Sequence, residues 1–329
     1  MSDWVELRSP DELANWTLPV LEVSVVLAAF AMLVAAVRDH RRGDSTPLGL
    51  WIAAVVYLLV IEPPLYFPEK FGIDEYVDVL FTHNVFMVQF MDDRLPLYIV
   101  ALYPALASLA YRVVRALGVF EARGLLAGAV TVGWVHLCFY EVFDQVGPQL
   151  RWWSWNLTSE QNQPFLASVP LPSIVIFAAV GPLTLVLLVS RFKGVRGAVL
   201  AGALTPLGLV VANLPSALLG TVMSTVDRQR VVLIAELAIF AGVGSLVLVR
   251  QLRRPHHQDR VALAVGSGFL AVHALFWVTA HATESSTPVG SLPFTAACFG
   301  IAVLVLAPLV LALSQIRQQG RNRAPTLAG

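Results

Sequence analysis

Long apolar stretches separated by short charged ones set the pattern of this chain. Nine stretches approach the ~20 apolar residues that cross a hydrocarbon core. They run Leu18–Val37, Pro47–Glu62, Leu95–Tyr111, Gly124–Phe143, Leu171–Ser190, Gly197–Leu219, Val231–Val249, Val261–Ala280 and Pro293–Ser314. Continuous apolar runs argue for helices, because a membrane barrel would show short alternating strands instead. The pattern predicts an all-α fold, a polytopic transmembrane helix bundle of about nine spans. Residues 1–17 form an outer segment, 18–316 a single transmembrane domain and 317–329 a tail.

The charges between the spans orient the bundle. Sixteen of the 22 Lys and Arg fall in alternate connections, around Arg38–Arg42, Arg112–Arg123, Arg191–Arg196, Arg250–Arg260 and Arg317–Arg323. Positively charged loops stay in the cytoplasm, so the N-terminus faces out and the C-terminal tail faces in. Of the 22 acids only Asp39, Asp44, Glu121 and Asp259 lie on the cytoplasmic side. Residues 1–16 lack the basic and apolar regions of a signal peptide. The first span is therefore expected to act as the targeting signal, with a bacterial cytoplasmic membrane as the expected location. Composition agrees: 57% of the 329 residues are hydrophobic and 13% charged, about half the charged share of a soluble protein. Net charge is zero, which gives nucleic acid no basis as a partner. Membrane lipids and a lipid-soluble small molecule are the expected partners. Cys138 and Cys298 sit in apolar segments without disulfide or metal spacing. No H-x-x-x-H pair occurs either, which disfavours a histidine-box oxygenase. No cofactor is expected, while the histidine, phenol and two carboxylates of His136, Tyr140, Glu141 and Asp144 could relay protons or hold a divalent cation.

The candidate chemistry is acidic and lies toward the outer side. Glu22, Glu62, Glu141 and Glu236 each fall in the outer third of a span; Asn213 and His273 lie in the outer half and His136 near mid-depth. A charged side chain at a helix centre costs about 2.5–3.5 kcal/mol on insertion scales, so such residues default to a functional reading. Packed inward, they would line a polar cavity open toward the outer side. Phe139–Trp155 is the focus. Glu141 and Asp144 are three residues apart and are expected to share a helix face. His136, Tyr140 and Asp144 form a stripe at i, i+4, i+8. Glu62 and Glu141 end their helices whereas Glu22 and Glu236 lie near the starts of theirs, so the helix dipole acts on the two pairs with opposite sign. That separates a proton donor from an ionised partner. The candidate catalytic set is Glu62, Glu141, Asp144 and Glu236; the candidate binding set is His136, Tyr140, Asn213, His273 and Trp153.

Plainer readings compete. Asp144 would be solvated beyond its helix end, Glu141 would reach for the interface, Glu22 would be a functionless residue near the interface, and His136 would be a packing residue. Trp152, Trp153 and Trp155 would form an aromatic belt at the headgroups. Tyr76–Met91 is apolar enough for an interfacial or re-entrant helix. Pro63-Pro64 is expected to end span two directly after Glu62. Asp74 and Asp78, with Asp92-Asp93, read as a solvated loop before they read as a magnesium–diphosphate site. Asn156-Leu157-Thr158 has the form of a glycosylation acceptor.

Some of these residues also carry a resemblance. Glu62-Pro63-Pro64 is followed by Leu95-Pro96-Leu97-Tyr98 and Tyr103-Pro104. Glu141, Asp144 and Gly147 then form E-x-x-D-x-x-G before the Trp-rich tail. This resembles actinobacterial multi-span membrane proteins. More distantly it resembles the carotenoid-biosynthesis membrane proteins that hydrate polyene ends. The resemblance covers roughly residues 60–170. It implies membrane carboxylates that protonate an alkene, at positions matching Glu62, Glu141 and Asp144. Nine spans with acidic pairs after spans two and six also resemble intramembrane aromatic prenyltransferases. That family's two aspartate-rich motifs face the cytoplasm, whereas these loops face out and Asp227 has no D-x-x-x-D partner.

The leading expectation is an enzyme that hydrates or cyclises an isoprenoid or other lipid-soluble substrate by proton initiation. Glu141 or Glu62 would be the general acid. Glu236 and Asp144 would steady the cation, helped by aromatic faces. The alternatives are a proton- or cation-coupled transporter, with broken helices lining the path, and a membrane scaffold or assembly subunit that binds a partner through Phe67–Arg94 and Gly147–Val169.

Overall fold

The computed structural model describes residues 4–74, 79–158, 162–166, 168–219, 224–252, 254, 257–282 and 292–322. Among them, nine helices are long and apolar enough to cross a membrane. They are α1 (Thr17–Arg41), α2 (Thr46–Tyr66), α4 (Leu97–Ala116), α5 (Val119–Asp144), a π-helical segment (Ser173–Val180) running into α6 (Gly181–Arg191), α7 (Gly194–Leu218), α8 (Thr225–Gln251), α9 (Arg260–Ala282) and α10 (Leu292–Asn322). A single turn, α3 (Pro68–Phe71), follows α2. This is a multi-pass membrane bundle.

Two helices form its axis. The α4 span is 83% buried and the α5 span 72%, against 22–39% for α1, α2 and α7–α10. Small residues let neighbours approach them. Ala101, Ala105, Ala107 and Ala110 of α4 are all buried, as close packing without a hydrophobic driving force requires. Gly202 of α7 serves the same end: a Cβ there would sit 2.4 Å from the Ala53 carbonyl oxygen of α2.

Ion pairs tie the Arg-rich ends of the bundle, opposite the N-terminus. Arg112 of α4 meets Asp39 at 2.6 Å and Asp259 at 2.8 Å, and Arg115 meets Asp44 at 2.7 Å. The three aspartates that break the outward bias of acidic charge thus serve α4, joining α1 and the start of α9 to it. Gln251 Nε2 also donates to the Leu117 carbonyl at 2.6 Å.

The outer connections differ from the expected interfacial helix. Tyr76–Asp78 lie outside the described residues; Phe81–His83 (β2) and Val88–Phe90 (β3) are short strands. β3 lies between β1 (Val5–Leu7) and β4 (Leu95–Pro96), and β2 pairs antiparallel with β5 (Trp153–Trp155). A third pair joins β6 (Pro164–Leu166) to β7 (Val169–Pro170). Side-chain anchors explain why the segment is not helical. Glu22 accepts from the backbone N–H groups of Met87 at 2.8 Å and Val88 at 3.2 Å. Buried Gln89 donates to the carbonyls of Asn84 and Asp93 and accepts from Phe86 N–H. Asp93 in turn pairs with Arg8 at 2.6 Å. Such bonds replace those a helix would have made. They also show Glu22 as a buried backbone clamp. Asp92 and Asp93 stand in left-handed conformation beside Met91, with φ of 56°, 63° and 57°. Asp78, needed for the D-x-x-x-D reading, lies outside the described residues.

Span two does not end at Glu62. Pro63 and Pro64 lie inside α2, which runs on to Tyr66. The two prolines supply no N–H, but their fixed φ suits a helix, and Phe67 N–H closes the turn on Pro63 O at 3.0 Å. The extra turn places Tyr66 beside Glu62.

Replacing Arg112 by Met should strand Asp39 and Asp259 and cost about 3 kcal/mol, the usual penalty for breaking a buried pair from one side. Denaturation in detergent micelles measures it. Replacing all three residues by apolar ones should recover most of the loss.

Candidate functional site

The outer ends of α2, α4, α5 and the π-helical segment splay around a narrow cavity, and the β2–β5 pair covers it. Counted together with the open space at its mouth, the cavity measures about 410 Å³, only a small part of it wide enough for water. Glu62, Tyr103, Tyr140, Asp144 and Ser173 supply its polar lining; Phe81, Phe143, Trp153, Trp155 and Phe177 supply aromatic walls. Both carboxylates are buried: Glu62 is 3% and Asp144 1% exposed.

Each polar residue arrives by a local rule. Tyr140 and Asp144 are four apart on α5 and so share one side of it. Tyr103 of α4 donates to Glu62 Oε1, and Ser173 donates to Asp144 Oδ2 at 2.7 Å. His83 reaches the cavity from β2. Strand alternation puts Phe81 and His83 on one face and Thr82 on the other, and the register sets them opposite Trp155 and Trp153. The tyrosines of α2 and α4 then hold the imidazole. Tyr66 OH lies 3.0 Å from Nε2 and Tyr98 OH 3.0 Å from Nδ1. Burial keeps the ring uncharged, with its pKa pushed down to about 3. A neutral imidazole has one donor and one acceptor nitrogen. One tyrosine therefore donates to His83 and the other accepts from it. Tyr66 also faces the Glu62 carboxyl, short of good hydrogen-bond geometry. Hydrogen bonds thus join Tyr98, His83 and Tyr66 on one side and Tyr103 and Glu62 on the other, with Tyr66 facing the Glu62 carboxyl between the two sets.

Three polar atoms of the lining have no protein partner: Glu62 Oε2 and the indole N–H groups of Trp153 and Trp155. One carboxyl oxygen and two indole N–H groups left without partners around an aromatic chamber are costly unless something polar meets them. Trp153 is held by Gly147, where a Cβ would strike the indole at 2.0 Å.

The aromatic-belt reading of the tryptophans fails here. Trp152 and Trp153 are 0% and 5% exposed: Trp152 donates to Thr17 Oγ1 at 2.9 Å, and Trp153 lines the cavity. The loop folds back over the bundle instead of spreading into the headgroups. Asn156 makes an exposed local turn, accepting from Thr158 N–H at 3.1 Å.

The other expected residues divide. His136 bonds the Ala178 carbonyl at 2.7 Å and, with Tyr57, Tyr103 and Tyr140, lines a smaller pocket directly inward of the cavity. Glu141 does not share the face of Asp144. The two differ by about 60° around the helix; Asp144 turns into the cavity and Glu141 toward Gln145, which donates to it at 3.0 Å, and Cys298 of α10. Glu141 is fully buried, so it does not reach the interface. Cys138 and Cys298 are free and their thiols face each other. His273 sits in an aromatic packing cluster, its ring stacked on Phe269 at 3.9 Å and edge-on to Trp152 and Phe276. Asn213 lies on the exposed side of α7 and Glu236 is half-buried on α8; neither lines the cavity. The expected convergence of Glu62, Glu141 and Glu236 thus reduces to Glu62 with Asp144.

The reading from sequence missed His83, Tyr66, Tyr103, Ser173 and Phe177. The signal for His83 was the matched alternation of Phe81-Thr82-His83 and Trp153-Ser154-Trp155. The others lie in apolar runs that give none. Among the described residues, no three His, Cys, Asp or Glu side chains converge as a metal-ligand set.

Gly147→Ala should push Trp153 out of the cavity at a cost of about 1–3 kcal/mol, read as a change in tryptophan near-ultraviolet dichroism. His83 gives a pH test. Its ring titrates at 6.5 when unfolded but at about 3 when folded. Between those values only the unfolded chain takes the proton, so stability falls as pH drops through that window. His83→Gln should lose less stability over it than the parent; equal losses would place the acid sensitivity elsewhere.

Comparison of the chain with protein-family models, curated proteins and solved structures returns no match.

Proposed function

We propose that the protein is a membrane enzyme that adds a proton to an alkene of a lipid-soluble substrate, most simply an isoprenoid end group. The product is then a hydrated or a cyclised lipid. The observation that supports this best is a pair of buried carboxylates, Glu62 and Asp144, in one cavity whose other walls are aromatic. Small-molecule sites are mostly apolar with a few convergent polar groups, and a substrate whose reacting end carries no polar handle suits such a lining.

In this reading Glu62 starts protonated, held by Tyr103. Its proton adds to one alkene carbon, the π pair forms the new C–H bond, and the other carbon becomes cationic. Asp144, fixed by Ser173, faces the developing charge. Trp153, Trp155 and Phe143 present ring faces to it. In hydration a water molecule adds to the cation and loses a proton to the carboxylate. In cyclisation a second alkene closes on the cation and the neighbouring carbon loses the proton. Either way one proton leaves and one returns, and the Tyr98–His83–Tyr66 line offers a path to restore it to Glu62.

Glu141 and Glu236 drop out of the catalytic set, because neither lines the cavity. The transporter reading needs polar lining inward of His136 and Tyr57. The residues on that side of α4 and α5, among them Ala110, Val113, Val114, Ala129 and Val132, are buried and mostly apolar, with Ser108 and Thr131 as hydroxyl-bearing exceptions.

Glu62→Gln should lower product formation by about 10²–10⁴, as for loss of a general acid. Asp144→Asn should cost about 10²–10³, whereas Glu141→Gln should change it little. Mass spectrometry of apolar lipid extracts, compared between strains with each variant and a strain without the protein, reads the outcome. Equal extracts with and without the parent protein, or full activity in Glu62→Gln, would reject the reading.

A further inference from the structure

We propose that the cavity receives its substrate sideways from the outer leaflet, through a groove gated by Phe177, and that the substrate is an uncharged amphiphile with a hydroxyl-like head. This rests on the function proposed above and adds the route and the head-group class. Counted with the open space above it, the groove measures about 1140 Å³, and it runs between α2, the π-helical segment, α7 and the start of α8. Ile61, Leu65, Ile176, Leu209, Val210 and Leu214 make its apolar floor and lips. Val210 and Leu214 are 60% and 53% exposed on a helix that spans the membrane, so the groove opens toward lipid.

Phe177 joins the groove to the interior. Its half-buried ring lines the groove, the cavity and the inner pocket, and it is the one side chain among the described residues that the three share. It lies one turn from Ser173, which holds Asp144. The same π-helical segment therefore carries both the carboxylate's partner and the wall. π-Helical turns are rare and cluster at functional sites.

The lining argues for the head group. Its polar members are the amides of Asn162, Asn213 and Gln229, with no charged side chain among the described residues. Amides suit a hydroxyl or carbonyl and offer no counter-charge to a phosphate. The second way in differs. An outer vestibule lined by Tyr66, Thr82, Asp93 and Arg94 meets the cavity at Phe81 and His83. That charged route suits water and protons. Asn213, which does not reach the cavity, gains a place at the mouth of the groove.

The test is photolabelling in lipid nanodiscs. The probe is an isoprenoid alcohol with a diazirine at its apolar end, and labelled peptides are mapped by mass spectrometry. The parent protein should be labelled on Leu209–Leu214 and within the cavity, on Tyr140 or Trp153. Phe177→Trp should keep the groove label and lose the cavity label by tenfold or more, and Phe177→Ala should raise the cavity label severalfold. A diphosphate-headed version of the probe should leave the groove unlabelled; equal labelling would overturn the head-group assignment. Cavity label unchanged in both Phe177 variants, or accompanied by label on Thr82–Arg94 and none on the groove, would overturn the portal and leave the cavity as a ligand site. No cavity label even in Phe177→Ala would overturn the portal and the proposed function together.

Discussion

A polar group inside a membrane protein must find its partner within the protein, because hydrocarbon offers none. The outer half of this bundle is arranged around that constraint. Glu22 is met by backbone N–H groups of the β3 loop, Glu62 by Tyr103, Asp144 by Ser173 and Glu141 by Gln145. Each bond ties one element to another or fixes a side chain at the end of a span. The strand cap is held down by the first of these, and the cavity walls are drawn together by the next two. The Arg-rich half answers the same constraint with the Arg112–Asp39–Asp259 cluster. The two ends thus differ: ion pairs close the inner one, while carboxylates with neutral partners surround a space at the outer one.

The unequal treatment of the carboxylates gives the site its direction. Asp144 has a fixed hydroxyl donor in the cavity wall. Glu62 keeps one oxygen without a partner, and the indole N–H groups of Trp153 and Trp155 are also unpartnered in the cavity lining. Glu141 is equally buried but belongs to the α5–α10 contact. Depth in the membrane therefore does not define membership of the site; the azimuth around each helix does.

That distinction explains how far the sequence could be read. Hydrophobic runs and Arg distribution report length and depth, and these gave the nine spans and placed the acidic chemistry toward the outer side. Azimuth depends on which neighbour a helix packs against, which no single run encodes, so Glu141, Glu236, Asn213 and His273 were grouped with residues they do not meet. The stripe of His136, Tyr140 and Asp144 was legible because i+4 spacing carries azimuth within one helix. Loop structure was the least legible. Phe81–His83 pairs with a strand some 70 residues away, and the Glu22 clamp that fixes the adjoining loop lies on another helix. Apolar content alone suggested an interfacial helix there. The tryptophans misled for the same reason, since composition cannot separate a headgroup belt from a buried lid.

The most direct measurement of the central claim, proton addition to carbon from Glu62, is isotopic. Cells with the parent protein and cells with Glu62→Gln would be grown in deuterated water, with a common lipid precursor supplied unlabelled. The account predicts an apolar lipid carrying one non-exchangeable deuterium on carbon, formed with the parent and absent with the variant. Lipid extracts with the same deuterium content in both would contradict it.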